Sequence, residues 1–291
     1  MRTEQEMFDL IINTAKEDER IRAVYMNGSR TNPNAVKDIF QDFDIVYVVN
    51  ETGSFRRDKS WIDRFGERLY MQCPEEGNAY KYDVENCYGW LIQFADGNRL
   101  DLHVCTLKYV LKEIKKDRLC KILLDKDKCL PEIPEATDKD FWITKPDKGQ
   151  FLDTCNEFWW CLNNVAKGLW RKEVPYVMDM LNFIIRPQLI RVLEWKIGFA
   201  TNFTVSTGKS SKYMYRWLSN DTWNTFLKTY PKGEIEEIWN SVFIMCDLFN
   251  EIAKEVAEKM NVRYNETEAE NSLGFLRHVS QLPADAREIY R

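Results

Sequence analysis

A change of hydrophobic period part-way along the chain limits its fold more than any other feature. In the first half the apolar runs are short and β-branched: IRAVYMN from Ile21 and DFDIVYVV from Asp42 to Val49 both read as buried strands. Tyr88 to Phe94 and Arg99 to Cys105 flank Asp96-Gly97, a dipeptide suited to a tight primed hairpin turn. Residues 4 to 17 carry Met7, Leu10, Ile11 and Thr14 at helical spacing, and a second helix is expected from Asp58 to Phe65. Between Pro131 and Pro146 the text PEIPEATDKDFWITKP loses periodicity and gathers prolines and charges, as a connection between two bodies does. Residues 150–171, 173–200, 209–229 and 233–260 then repeat apolar positions at three- and four-residue spacing, without convincing strands. The expected architecture is α+β, a small mixed sheet with helices over residues 1–140, followed by an α-helical bundle over 141–291. Trp195, Trp217 and Trp239 fall on apolar helical faces and read as core, whereas the tail after Glu266 is polar and weakly patterned.

Several function classes are excluded early. Forty-one basic against 46 acidic residues give a formal charge of −5 without long single-sign blocks, so nothing marks a nucleic-acid or anionic-membrane binder. No stretch reaches the roughly 18–20 apolar residues of a membrane span, and the N-terminal residues carry charge throughout, so a cytoplasmic protein is expected. The eight cysteines form no C-x-x-C pair and read as reduced, mostly buried thiols. With only His103 and His278 present, histidine-rich metal sites and histidine triads are disfavoured, and chemistry falls to carboxylates, lysines, arginines and hydroxyls.

Asn27-Gly28-Ser29 ends one strand, and Asp42-Phe43-Asp44 heads another. Side chains at i and i+2 of a strand share a face, so Asp42 and Asp44 stand together while Phe43 and Ile45 point to the core. Two carboxylates ~4 Å apart repel by about 4 kcal/mol at an effective dielectric of about 20. A divalent cation between them relieves that cost, and oxygen donors of this kind suit magnesium with a nucleotide phosphate completing its shell. Gly28 lets the backbone approach a phosphate, to which Ser29 and the following amides can donate. The other D-x-D triplets, Asp125-Lys126-Asp127 and Asp138-Lys139-Asp140, and the second Gly-Ser at Gly53-Ser54 lack this context and read as solvated turns. A third acid, Asp101, alternates with Leu100 and Leu102 and shares the outward face with Arg99 and His103. It can accept a proton from an attacking hydroxyl or ligate metal; the plain alternative is a salt bridge to Arg99. His103 reads as an ordinary polar side chain.

These residues resemble the motif of polymerase-β-type nucleotidyltransferases: Gly-Ser, D-x-D on one strand, and a further acid on a neighbouring strand. The chain is more specifically similar to the aminoglycoside 6-adenylyltransferases, which modify streptomycin, through NGSRTNP, QDFDIVYVV, DGNRLDL, LLDKD, CNEFWW, AKGLWR and WKIG. The resemblance implies transfer of AMP from ATP to a drug hydroxyl. It also implies that Asp42 and Asp44 bind magnesium, and that Asp101 assists deprotonation of the acceptor or joins the metal. Gly28, Ser29 and Arg30 would then meet the nucleotide. Another small acceptor, or a catalytically silent nucleotide-binding or toxin–antitoxin module on the same fold, are the alternatives.

In the helix from Phe151 to Arg171, Phe151, Cys155, Phe158, Leu162, Val165 and Leu169 form one stripe, and Asp153, Glu157, Trp160, Asn164 and Lys167 lie opposite. A tryptophan left in water forgoes several kcal/mol of burial, roughly 4–6, so Trp160 should be covered by protein or by a ligand. Asp153, Glu157 and, more weakly, Asp179 offer carboxylates to a guanidinium-bearing acceptor beside that ring. Arg191, Lys209 and Lys212 are candidates for the triphosphate. Gly208-Lys209-Ser210 is no P-loop, because that motif needs glycine where Phe203 stands.

Overall fold

The computed structural model describes residues 1–77 and 80–290, and divides into two compact units, Met1–Asp140 and Phe141–Arg291. The first unit holds a six-stranded mixed sheet: β1 (Ile21–Asn27), β2 (Phe43–Val49), β3 (Arg68–Gln72), β4 (Cys87–Phe94), β5 (Arg99–Thr106) and β6 (Cys120–Asp125). Their order is β3-β4-β5-β2-β1-β6, with β2 and β5 parallel and the other neighbours antiparallel. Alternation assigns the two faces. Phe43, Ile45, Tyr47 and Val49 join Met7 and Ile11 of helix α1 (Glu4–Glu17) in one core, while Val46 and Val48 pack towards Val110 of a later helix. Thr3 and Glu6 close a capping box that starts α1 where the periodicity predicts.

The 53–65 segment departs from expectation. Its α-helix, α2, is Gly53–Arg57, and Trp61–Phe65 is a 3-10 turn. Asp58 separates them, because its Oδ1 accepts hydrogen bonds from the Ser60 amide (3.2 Å) and hydroxyl (2.7 Å) in competition with a continuous helix. Gly53-Ser54 therefore opens a helix rather than a solvated turn. The β4–β5 hairpin is present, but Gly97 alone takes a left-handed φ (+90°), and the Phe94–Asn98 closure makes the loop three residues long instead of two. Asp138, also expected in a solvated turn, is buried and accepts from Asn34 Nδ2 at 3.0 Å. Helix α3 (Leu107–Glu113) completes this unit.

The second unit is helical throughout: α4 (Lys148–Trp170), α5 (Val174–Asp179), α6 (Arg186–Thr201), α7 (Asn220–Leu227), α8 (Ile235–Met260) and α9 (Glu266–Ser280). A π-helical stretch, Met180–Ile185, joins α5 to α6. The predicted stripe of α4 is buried, and Phe158 stacks on Phe249 of α8 at 3.7 Å between ring centroids. α9 lies in the tail expected to lack pattern. Only Ala269, Leu276 and Val279 are buried, too few for a clear stripe, yet the Ser272 hydroxyl donates to the Trp159 carbonyl at 2.8 Å and pins the helix to α4. Trp195 and Trp239 are core as expected, but Trp217 is 42% exposed because its segment forms short 3-10 turns instead of a long amphipathic helix. No helix among the described residues is long and apolar enough to cross a membrane.

Candidate active site

Parallel pairing of β2 with β5 sets Asp44 directly beside Asp101, and β1 on the other side sets Asn27 opposite Asp44. Asp42 lies just before β2. One carboxylate oxygen from each of Asp42, Asp44 and Asp101 falls within 4.8 Å of the others, so the three sequence candidates are brought together. An all-oxygen set of three carboxylates fits a hard divalent cation such as magnesium. The electrostatics point the same way. Burial, followed by the charges of Asp42 and Asp101, pushes the Asp44 carboxyl up to about 7. A cation placed there would reverse that shift.

Arg99 brings positive charge to the acids. Its Nε and Nη2 grip Asp101 at 2.9 and 2.7 Å, and Nε stands 3.8 Å from Asp42. The salt bridge posed as the alternative for Asp101 therefore coexists with its place in the cluster. Burial pushes the His103 imidazole below its ordinary value, so it stays neutral at pH 7 and adds no charge to the acids.

Gly28 is required by Asp44. At φ +76° the backbone passes so close that a Cβ would overlap the Asp44 carboxylate. Ser29 opens the adjacent 3-10 turn, Ser29–Thr31. Arg30, expected at the nucleotide, also braces the loop before β2: Nε and Nη2 donate to the carbonyls of Asp42 and Gln41, both at 2.8 Å. Its guanidinium lies 3.7 Å from the Phe43 ring centroid, and the side chain is only 9% exposed. It fixes the approach to β2 and thereby the aim of Asp42.

The helical unit contains a cleft of about 730 Å³ lined by Asp153, Thr154 and Glu157 of α4, by Gln188, Arg191 and Glu194 of α6, and by Trp142 and Trp195 among others. Asp153 and Glu157 thus share a cavity as i and i+4 neighbours should. Arg191 donates to Gln188 Oε1 (2.9 Å) and Thr154 Oγ1 (3.2 Å) at its wall. Trp160 does not line the cleft. It is 68% exposed in a separate shallow groove with Glu268, Asn271 and Phe275, so neither another helix nor the Asp153–Glu157 pair covers it. Asp179, at the exposed end of α5, is likewise outside the cleft lining, as are the exposed Lys209 and Lys212. Glu194 was missed by sequence reasoning. The available signal was an acid between the buried residues Leu193 and Trp195, a position that charge rarely occupies without a partner.

A model of the streptomycin adenylyltransferase family matches residues 1–279. The chain belongs to that family. It is an enzyme of the nucleotidyltransferase class, with an α+β first unit and a helical second one. Over 265 residues it is 39% identical to the aminoglycoside 6-adenylyltransferase of Bacillus subtilis (strain 168), covering 91% of this chain and 93% of the relative. The enzyme of the same name from Staphylococcus aureus is 34% identical over 279 residues, 96% of this chain and 99% of that one. Among solved structures, an aminoglycoside 6-adenyltransferase from Bacillus subtilis is similar at 34% identity and a TM-score of 0.48, over 97% of this chain and 100% of that chain.

One consequence of the acid cluster is measurable without substrate. A magnesium ion bound at the Asp44 carboxylate would compete with its proton, so the rise in melting temperature on adding magnesium should be larger at pH 8 than at pH 5.5. Equal shifts at both values would show that the ion binds elsewhere.

Proposed function

We propose that this enzyme transfers the AMP moiety of ATP to a hydroxyl of streptomycin, releasing pyrophosphate and conferring resistance to the drug. The observation that carries the reading is the meeting of Asp42, Asp44 and Asp101 on adjacent strands of a chain in this family. Asp42 and Asp44 are the residues that would hold magnesium, with Asp101 beside them. When bound, the ion offsets the negative charge of the phosphates and favours attack at the α-phosphorus. The chain's own groups do the rest. Asp101 takes the proton of the attacking hydroxyl as the new oxygen–phosphorus bond forms and the bond to pyrophosphate breaks. Ser29 and the amides that follow Gly28 contact phosphate, and Lys209 and Lys212 are assigned to the triphosphate tail.

For the acceptor, Asp153 and Glu157 supply paired carboxylates to a guanidinium, which such acids bind in a planar, two-pronged manner. Streptomycin carries two guanidinium groups on its streptidine ring, and the 6-hydroxyl of that ring is the assigned nucleophile, following the name of the relatives. Arg191 is kept near its two neutral acceptors in the same cleft, and Trp160 and Asp179 serve the drug only if it extends beyond the cleft.

Purified protein with ATP and magnesium should release pyrophosphate with streptomycin and yield a product whose adenylylated hydroxyl NMR can map. Spectinomycin and kanamycin lack guanidinium groups and should be poor acceptors. Efficient turnover of kanamycin with none of streptomycin would replace the acceptor and keep the transferase; the absence of pyrophosphate release with every acceptor would favour the silent-module alternative.

A further inference from the structure

Glu194 is held as few surface acids are. Its Oε1 accepts the Thr207 hydroxyl at 2.5 Å and the Ser211 hydroxyl at 2.9 Å. Both donors come from the segment after α6, in which Gly208, Ser210 and Ser211 have φ of 75°, 55° and 57°. Left-handed backbone is strained for a non-glycine residue, so a loop with two such serines is held by particular contacts, of which these are two. The carboxylate is consequently fixed before any ligand arrives, and both hydroxyls converge on one of its oxygens.

The charge around it is unbalanced. The cleft is lined by three carboxylates, Asp153, Glu157 and Glu194, against the single guanidinium of Arg191, a net formal charge of −2. Arg191 spends its hydrogen bonds on the neutral oxygens of Gln188 and Thr154. A dication would neutralise the cleft. The acids also divide by origin: Asp153 and Glu157 come from one face of α4, whereas Glu194 comes from α6.

We propose that Glu194 is the specificity-determining residue for a diguanidino acceptor, taking the second guanidinium while Asp153 and Glu157 take the first. Thr207 and Ser211 are positioning residues that hold the Glu194 carboxylate. The inference rests on the streptomycin reading above and adds to it which chemical feature of the drug the cleft counts. An acceptor with one guanidinium satisfies α4 and leaves the Glu194 carboxylate without a counter-charge.

Glu194→Gln keeps an oxygen for the two hydroxyls and removes the charge. Streptomycin affinity measured by calorimetry should weaken about 10- to 100-fold, with KM for the drug following it and KM for ATP within about twofold. A streptidine analogue with one guanidino group replaced by a neutral carbamate should bind wild type more weakly, and Glu194→Gln should cost it little more. The double variant Thr207→Val, Ser211→Ala retains the charge but frees the side chain, and should weaken streptomycin by a smaller factor even if Glu194→Gln fails to fold. Unchanged streptomycin affinity in both variants, or equal losses for the drug and its carbamate analogue, overturns the assignment. A wild-type protein that turns streptomycin over while Glu194→Gln is unimpaired sinks this inference alone. One that binds no streptomycin sinks the proposed function with it.

Discussion

Asp44→Asn should reduce AMP transfer by roughly a thousandfold or more and, at pH 8, make the metal-free protein melt higher than wild type. The two effects share one cause. Asp44 is half-buried beside Asp42 and Asp101, and its carboxyl is pushed up to about 7 from an ordinary 3.8. Between pH 4 and 7 the unfolded chain has released that proton while the folded chain retains it, so folding stability falls as pH rises through this window. Above about pH 7 the deficit is complete, on the order of 4 kcal/mol. Asparagine has the same shape and no charge, which removes the deficit together with a proposed metal ligand. The difference in melting temperature between variant and wild type should therefore be near zero at pH 4 and largest at pH 8. Full activity in the variant would remove Asp44 from the metal site. A stability gain independent of pH would show that charge crowding is not what strains the cluster.

The acid cluster was largely legible because it depends on local spacing. The D-x-D pattern puts Asp42 and Asp44 on one side, and alternation in RLDLHV puts Asp101 outward. The parallel pairing of β2 with β5 is not a local property; 49 and 99 lie far apart in the chain, and only the assembled sheet puts Asp44 next to Asp101. Strands β1, β2, β4 and β5 announced themselves by apolar residues at alternate or successive positions. β3 did not, since RLYMQ is an edge strand with four of its five residues exposed and no buried face to impose a period. In the same way α9 buries too little to show a stripe.

The cleft was half legible. Asp153 and Glu157 follow from helical spacing, but Trp160, seven residues beyond Asp153 and so nominally on its stripe, lies in another groove. Helical spacing places residues to within a quadrant, and a long helix gives its successive turns to different neighbours. Arg30 shows a different limit. An arginine following Gly-Ser in such a motif suggests a phosphate ligand, and the carbonyls of Gln41 and Asp42 and the ring of Phe43, eleven to thirteen residues on, also engage its guanidinium. Nothing in the sequence announces those contacts.

Asp101→Asn separates the two roles left open for the third acid. A general base contributes about a hundred- to ten-thousandfold, so turnover should fall by that order. The base acts on the acceptor and not on ATP, so the affinity for ATP with magnesium should change by no more than a few-fold. Asp44→Asn, which removes a proposed metal ligand, should instead lose ATP affinity and turnover together. Arg99 sharpens the comparison. Asp101 is only 13% exposed and is gripped through two hydrogen bonds by Arg99, which also stands 3.8 Å from Asp42. In Asp101→Asn the guanidinium loses its closest counter-charge and can draw nearer Asp42, where it would compete with magnesium. Titrating magnesium in Asp101→Asn and in the double variant with Arg99→Gln resolves this: if ATP affinity is lost in the first and restored in the second, Arg99 and not the missing ligand caused the loss. Loss of ATP affinity in both, matching Asp44→Asn, would make Asp101 primarily a metal ligand. Survival of ATP binding in both with turnover abolished leaves proton transfer as its task.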